Sequence, residues 1–143
     1  METSENLTQK DKVDFKDSKY ATGRRKTSIA KIWLKKGSGK IFVNGKNYDD
    51  YFKRDTHKMQ LLRPFEIINQ ATTYDVRCNV RGGGLTGQVG AMVHGISKAL
   101  VMFDSEFKST LKKEKLTTRD SRSVERKKYG HRKARRSYQF SKR

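Results

Sequence analysis

The chain has 143 residues, of which 33% are hydrophobic, and a mean hydropathy of −0.96, so it can bury one small core and little more. Its 34 Lys and Arg against 15 Asp and Glu give a formal charge of +19, which calls for a polyanion and makes nucleic acid the first expectation over an anionic membrane surface. No stretch approaches the ~20 apolar residues of a membrane span, the acidic, polar start is no secretory signal, the lone Cys78 excludes an internal disulfide, and His57, His94 and His131 are too scattered for zinc; the sequence reads as soluble, from a reducing compartment, with no metal or cofactor.

Residues 1–19 hold 4 Lys against 5 acids, with almost no apolar periodicity, and are expected to be a disordered arm. Residues 20–116 are expected to form the single globular, RNA-binding domain. Arg24-Arg25-Lys26-Thr27-Ser28 precedes the first predicted strand and sets three cations at a sheet edge, where they meet RNA phosphates or, more blandly, keep an edge strand solvated. Ala30, Ile32 and Leu34 alternate with Ile29, Lys31, Trp33 and Lys35, which predicts a strand with one buried face. Gly37-Ser38-Gly39 reads as a turn, and Ile41 and Val43 as a short strand ending at the turn dipeptide Asn44-Gly45. Tyr51 and Phe52 anchor a helical turn. Pro64 is placed in the first turn of a short helix, with Phe65, Ile67 and Ile68 as its packing residues.

The cleanest strand is 74–81, where Tyr74, Val76, Cys78 and Val80 share a packed face while Asp75, Arg77, Asn79 and Arg81 share one that is wet or touches RNA. Gly82-Gly83-Gly84 breaks it. Leu85, Val89, Met92, Val93, Ile96, Ala99, Leu100 and Phe103 then recur at helical spacing, predicting a buried helix of about five turns. Gly87, Gly90 and Gly95 weaken such a helix, so close approach to another backbone is the expected reason for them. The loop from Arg81 through Gly82, Gly83, Gly84 and Gly87 to Gln88 stands at a strand-to-helix junction, where free N–H groups and the helix dipole favour an anion. An RNA phosphate, a small nucleotide and a purely structural turn are all open readings of it, although the Gly-Lys-Ser/Thr ending of a P-loop is missing. His94, on the polar side of the helix, and Lys98 are further candidates for RNA contact. As a catalytic base His94 would stand alone, because Asp49, Asp50, Asp55, Glu66 and Asp75 show no motif pairing them with a nucleophile or metal; no enzyme and no small-molecule substrate are expected.

Phe107 and Leu111 predict a second helix, and past Leu116 the pattern stops. Residues 117–143 form an extended basic tail whose ~27 residues could reach roughly 90 Å at ~3.3 Å each. Arg119, Arg122, Arg126-Lys127-Lys128, Arg132-Lys133 and Arg135-Arg136 are its candidate phosphate ligands, with Tyr129, Gly130 and His131 interleaved for stacking and close turns. A solvated tail or a localisation signal is the bland alternative.

These residues resemble a known family, the universal small-subunit ribosomal protein number nine in its bacterial or organellar form. The likeness runs from about Tyr20 to Arg143 through Ala21-Thr22-Gly23-Arg24-Arg25-Lys26, Gly39-Lys40-Ile41, Val43-Asn44-Gly45, Gly82-Gly83-Gly84-Leu85-Thr86-Gly87-Gln88, His94-Gly95-Ile96, Thr118-Arg119-Asp120, Glu125-Arg126-Lys127-Lys128 and Gln139-Phe140-Ser141-Lys142-Arg143. The resemblance implies an α/β (α+β) fold like the second domain of small-subunit ribosomal protein five, its sheet covered by helices on one face. It also implies binding to ribosomal RNA in the head of the small subunit, beside neighbouring head proteins, in the cytoplasm or an organelle. It brings Lys142 and Arg143 to the transfer RNA of the peptidyl site. Three positions depart from the family: residues 1–19 have no counterpart, Val93 stands where a basic residue is common, and Tyr138 replaces a common proline. The competing readings are an RNA-binding protein or chaperone outside the ribosome and, because the fold is shared with phosphate-transfer enzymes, a small-molecule kinase.

Overall fold

The computed structural model describes residues 15–142. Its first element is a strand nearly devoid of large apolar residues: β1 (Lys19–Arg25) turns only Ala21 and Gly23 inward. The chain reverses at Lys26-Thr27, with Lys26 in the left-handed region (φ 51°), and returns as β2 (Ser28–Lys36), which sets Ala21 opposite Ile32 and Gly23 opposite Ala30. The strand expected to come first is therefore second. Arg24 and Arg25 do not precede the sheet but end its edge strand, and Lys26 occupies the hairpin turn.

β3 (Ile41–Val43) and β4 (Lys46–Asn47) form a hairpin across Asn44-Gly45, whose φ angles of 50° and 82° are those of the predicted tight turn. β5 (Tyr74–Arg81) completes a five-stranded sheet in the order β1-β2-β5-β3-β4, antiparallel except for the parallel β3–β5 pair. Tyr74, Val76, Cys78 and Val80 face the core as the alternation predicts. Asp75 departs from its wet-face expectation because it is buried. Its carboxylate accepts the Ser38 and Lys40 N–H groups at 2.8 and 2.9 Å and so ties down the β2–β3 loop, in space that a side chain at Gly37 would occupy.

The described residues form four helices, α1 (Tyr48–Tyr51) and α2 (Asp55–Ile67) between β4 and β5, and α3 (Leu85–Phe103) and α4 (Phe107–Lys113) after β5. α3 lies across β1 and β2, α2 packs beside α3, and the core between them gathers Ile32, Leu34, Leu61, Phe65, Met92, Ile96 and Leu100. Apolar burial falls on one parity of every long strand, so the opposite face of the sheet carries no described helix. Pro64 corrects another expectation. It stands near the end of a 13-residue α2, not in the first turn of a short helix. His57, Leu61, Pro64 and Phe65 make the buried stripe, and the carbonyl deprived of a partner belongs to exposed Gln60.

The predicted reason for glycines in α3 holds at its middle. A Cβ on Gly95 would stand 2.6 Å from Ile32 Cγ1 and 3.0 Å from the Gly23 nitrogen, and one on Gly23 would stand 1.8 Å from the Ala91 carbonyl oxygen. Here helix and strand touch backbone to backbone. Beyond α4 the described tail holds an isolated bridge between His131 and Ser137, where the Arg132 N–H donates to the Arg136 carbonyl at 2.7 Å.

Candidate nucleic-acid interface

The glycine loop and the β1–β2 turn meet at one end of the sheet. Gly82 and Gly83 are left-handed (φ 76° and 61°), and side chains there would collide with the Thr27 carbonyl at 2.6 Å and Ser28 Oγ at 2.2 Å. The Ser28 hydroxyl and the Gln88 amide both donate to the Gly82 carbonyl at 3.1 Å, and the Tyr51 hydroxyl donates to Gln88 Oε1 at 2.8 Å. Half-buried Gln88 therefore braces the loop. Gly84 precedes α3 without supplying a side-chain cap, which leaves the first-turn N–H groups and the helix dipole for an anion.

Cations surround this end. Cross-strand pairing aligns Arg24, Ile29 and Arg81 in one row on the open face of the sheet, and Lys26 is exposed in the turn. The start of the tail joins them. Arg119 donates to the Lys26 carbonyl at 3.4 Å, and Arg25 donates to the Arg122 carbonyl at 2.8 Å while its guanidinium stands 3.3 Å from Asp120. Asp120 also holds Arg122 at 2.9 Å, and this guanidinium, with the Arg122 N–H, keeps the Asp120 carboxyl far below the usual carboxylate range. Arg25 is thus spent on fixing the tail's root, with its stem lying over Gly90.

Two helix residues share that task. His94 Nδ1 accepts the Arg24 N–H at 3.2 Å, and the Thr117 backbone also bonds the ring. Burial, then the positive charges of Lys98 and Arg119, push its pKa down and favour the neutral imidazole that the accepted bond needs. The helical pattern sets His94 on a polar side; the fold instead half-buries it against β1. Lys98 donates to the Thr22 carbonyl at 3.0 Å.

Of the sequence-predicted residues, Arg24, Lys26, Arg81, Gly82, Gly83, Gly84, Arg119 and Arg122 come together, while Arg25, Gln88, His94 and Lys98 hold that assembly in shape. Arg126, Lys127, Lys128, Arg132, Lys133, Arg135 and Arg136 lie further along the tail. There Arg126 stands 5.8 Å from the Tyr129 ring, Arg132 5.8 Å from Tyr138, and Glu125 accepts from Arg135 at 3.0 Å. Lys142 is exposed, and Arg143 lies outside the described residues. Sequence reading missed Asp120 as the clasp between tail and hairpin, since its partner Arg25 is 95 positions away.

Together these features define a small, basic α/β domain with a cationic end and a basic C-terminal extension, a class suited to holding a polyanion. The sequence profile of the family described as ribosomal protein S9/S16 matches residues 23–143. A small ribosomal subunit protein uS9 of Rickettsia canadensis (strain McKiel) is 54% identical over 144 aligned residues, which cover 99% of this chain and 89% of the relative, so residues 1–19, expected to lack a counterpart, fall almost wholly within that alignment. Its namesakes in Rickettsia felis and Rickettsia rickettsii (strain Sheila Smith) are 54% and 53% identical, over 95% of this chain and 84% and 86% of their own. The chain belongs to the ribosomal protein S9/S16 family. It is a structural, non-enzymatic constituent of the ribosome, and none of its described helices is long and apolar enough to cross a membrane.

Proposed function

We propose that this protein binds small-subunit ribosomal RNA in the head of the subunit and extends its C-terminal tip, Lys142 and Arg143, to the transfer RNA of the peptidyl site. In this reading residues 1–19 are an arm, 20–116 an RNA-anchored domain flanked by other head proteins, and 117–143 the reaching tail. The observation that carries it is the meeting of the β1–β2 turn, the glycine loop and the root of the tail at one end of the sheet, which gathers Lys26 and Arg119 near the uncapped start of α3 while Arg24 and Arg81 face the adjoining open side. Lys26, Arg119, Arg24 and Arg81 around an uncapped helix start suit phosphate oxygens, Arg122 is held by Asp120 at the same end, and the glycines let an RNA backbone come close. The tail's root is clasped to that same end, so the chain leaves the domain in a set direction.

Contacts of this kind act on position and not on bond making. Replacing Arg24, Lys26 and Arg81 together by Ala is expected to weaken binding to purified small-subunit RNA and to reduce the log–log salt slope by about 0.7 to 0.9 for each phosphate that is no longer neutralised. Removing Lys142 and Arg143 leaves that binding intact but lowers the affinity of reconstituted subunits for peptidyl-site transfer RNA. Unchanged transfer RNA affinity in the truncated subunits would refute the role of the tip.

A further inference from the structure

We propose that the open face of the sheet is a second RNA-contacting surface, on which Tyr20, Trp33 and Arg77 receive an unpaired base while Lys31, Arg24 and Arg81 take the adjoining phosphates. The inference rests on the RNA-binding reading above and adds to it a surface that adjoins the glycine-loop cluster at Arg24 and Arg81 and extends away from it to Tyr20, Trp33 and Arg77. Strand register places Tyr20 opposite Trp33, Trp33 opposite Arg77, and Arg77 opposite Phe42, so a single row crosses four strands. Their sequence neighbours Ala21, Ile32, Leu34, Val76, Cys78, Ile41 and Val43 are buried in the core, which turns this row away from the helices. Tyr20 is 44% exposed, Arg77 is exposed, and Trp33 and Phe42 are half-buried. The Tyr20 and Trp33 rings lie 5.3 Å apart at 48°, and the Arg77 guanidinium stands 5.9 Å from the Trp33 centroid.

None of the described helices covers this face, although Tyr20, on the edge strand, also borders a groove lined by Lys98, Val101 and Met102 of α3, and the Phe15 ring lies 5.4 Å from Lys35 beyond the end of the row. The surrounding rows decide what would cover it. Thr22, Lys31 and Asn79 come next along the strands, followed by Arg24, Ile29 and Arg81. Asp75 is the only acidic residue in any of the five described strands, and its carboxylate is folded into the β2–β3 loop. The face is therefore cationic, with rings and a guanidinium plane at one end and the glycine-loop cluster at the other, roughly 13 Å apart at ~3.3 Å per residue. Solvation alone explains the Lys and Arg but not the rings. A single-stranded polyanion with flat apolar bases uses both, because bases stack on aromatic and guanidinium planes while cations take phosphates. Arg24 and Arg81 belong to both surfaces, so a strand held at the glycine loop can continue onto the sheet.

Trp33 is the only tryptophan of the chain, so its emission reports on this surface directly. The experiment titrates the full-length protein with a fluorescein-labelled eight-nucleotide oligouridylate, following label anisotropy for binding and Trp33 emission for occupancy of the sheet. Inorganic polyphosphate serves as the charge-only control. The expected result is saturable quenching of Trp33 in step with anisotropy for the oligonucleotide and none for polyphosphate. Tyr20→Ala and Arg77→Ala, at exposed positions and checked for folding by circular dichroism, should each weaken oligonucleotide binding by roughly five- to a hundredfold. Oligonucleotide binding that leaves Trp33 emission untouched, or is unaffected by both variants, overturns the proposal while the tail and glycine-loop reading stands. No binding of the oligonucleotide or of purified small-subunit RNA would remove both. Should Trp33 be shielded from acrylamide in assembled subunits yet open in the complex with RNA alone, a protein covers the face and the inference is wrong.

Discussion

Gly95 shows how one hydrogen atom sets the distance between α3 and β1. An added methyl group would meet Ile32 Cγ1 and the Gly23 nitrogen at once, and neither the core side chain nor the strand backbone can retreat without opening the sheet. Gly95→Ala is expected to destabilise the domain by about 1–3 kcal/mol, in spite of alanine's better helix propensity. Gly90→Ala, earlier on the same helix, meets the Arg25 stem at 2.8 Å, and a flexible side chain can shift. That variant should therefore be near neutral. Urea denaturation of the two proteins checks the contrast, and equal midpoints would mean that the helix–strand distance is not set by Gly95.

At the scale of elements, the join between tail and domain is a small device with two protonation requirements. The Arg24 N–H bonds a neutral His94 ring, and Arg25 and Arg122 bond an ionised Asp120. Since the folded pKa of His94 is lowered from its ordinary value near 6.5, its contribution is fully present above about pH 6.5 and declines as pH falls below it. Asp120, held far lower, keeps its charge through that range. The protection factors of the amides of residues 117–122, with the intrinsic slowing of base-catalysed exchange divided out, are thus expected to fall between pH 7 and 5 and to do so through His94; in Asp120→Asn they should be low at every pH. Protection that stays constant to pH 5 would exclude His94 from the join. Much of this fold is legible in the sequence: β5 and α3 follow from period-2 and period-3.6 patterns because each buries one face. β1 is not, because small residues on its inner face, Ala21 and Gly23, are what α3 needs and carry no hydrophobic signal. The start of α2 is hidden because its first turns are polar and its core contact there is a histidine, His57, leaving Pro64 to suggest a start. The cationic residues of the interface are visible as clusters, but which of them are consumed in internal bonds depends on contacts nearly a hundred residues apart.

For the whole molecule the governing quantity is charge, and it has two opposed consequences. Residues 112–143 contain 14 Lys and Arg against 3 acids, so the C-terminal part alone has a net charge of +11 out of +19. In the free protein these charges repel, and screening them favours the compact state. In the RNA complex they displace counterions, and added salt opposes binding with a log–log slope of about −0.7 to −0.9 per neutralised phosphate. Raising salt from 50 to 200 mM is therefore expected to increase the urea midpoint of the free protein while lowering its affinity for purified small-subunit RNA by orders of magnitude. Exchanging Arg132, Lys133, Arg135 and Arg136 for Gln should flatten both dependences together, because one set of charges causes both. Were the RNA slope to flatten while the salt response of the free domain stayed whole, the tail's charges would be felt by RNA but not by the domain, and the repulsion would have to arise within the sheet and helices.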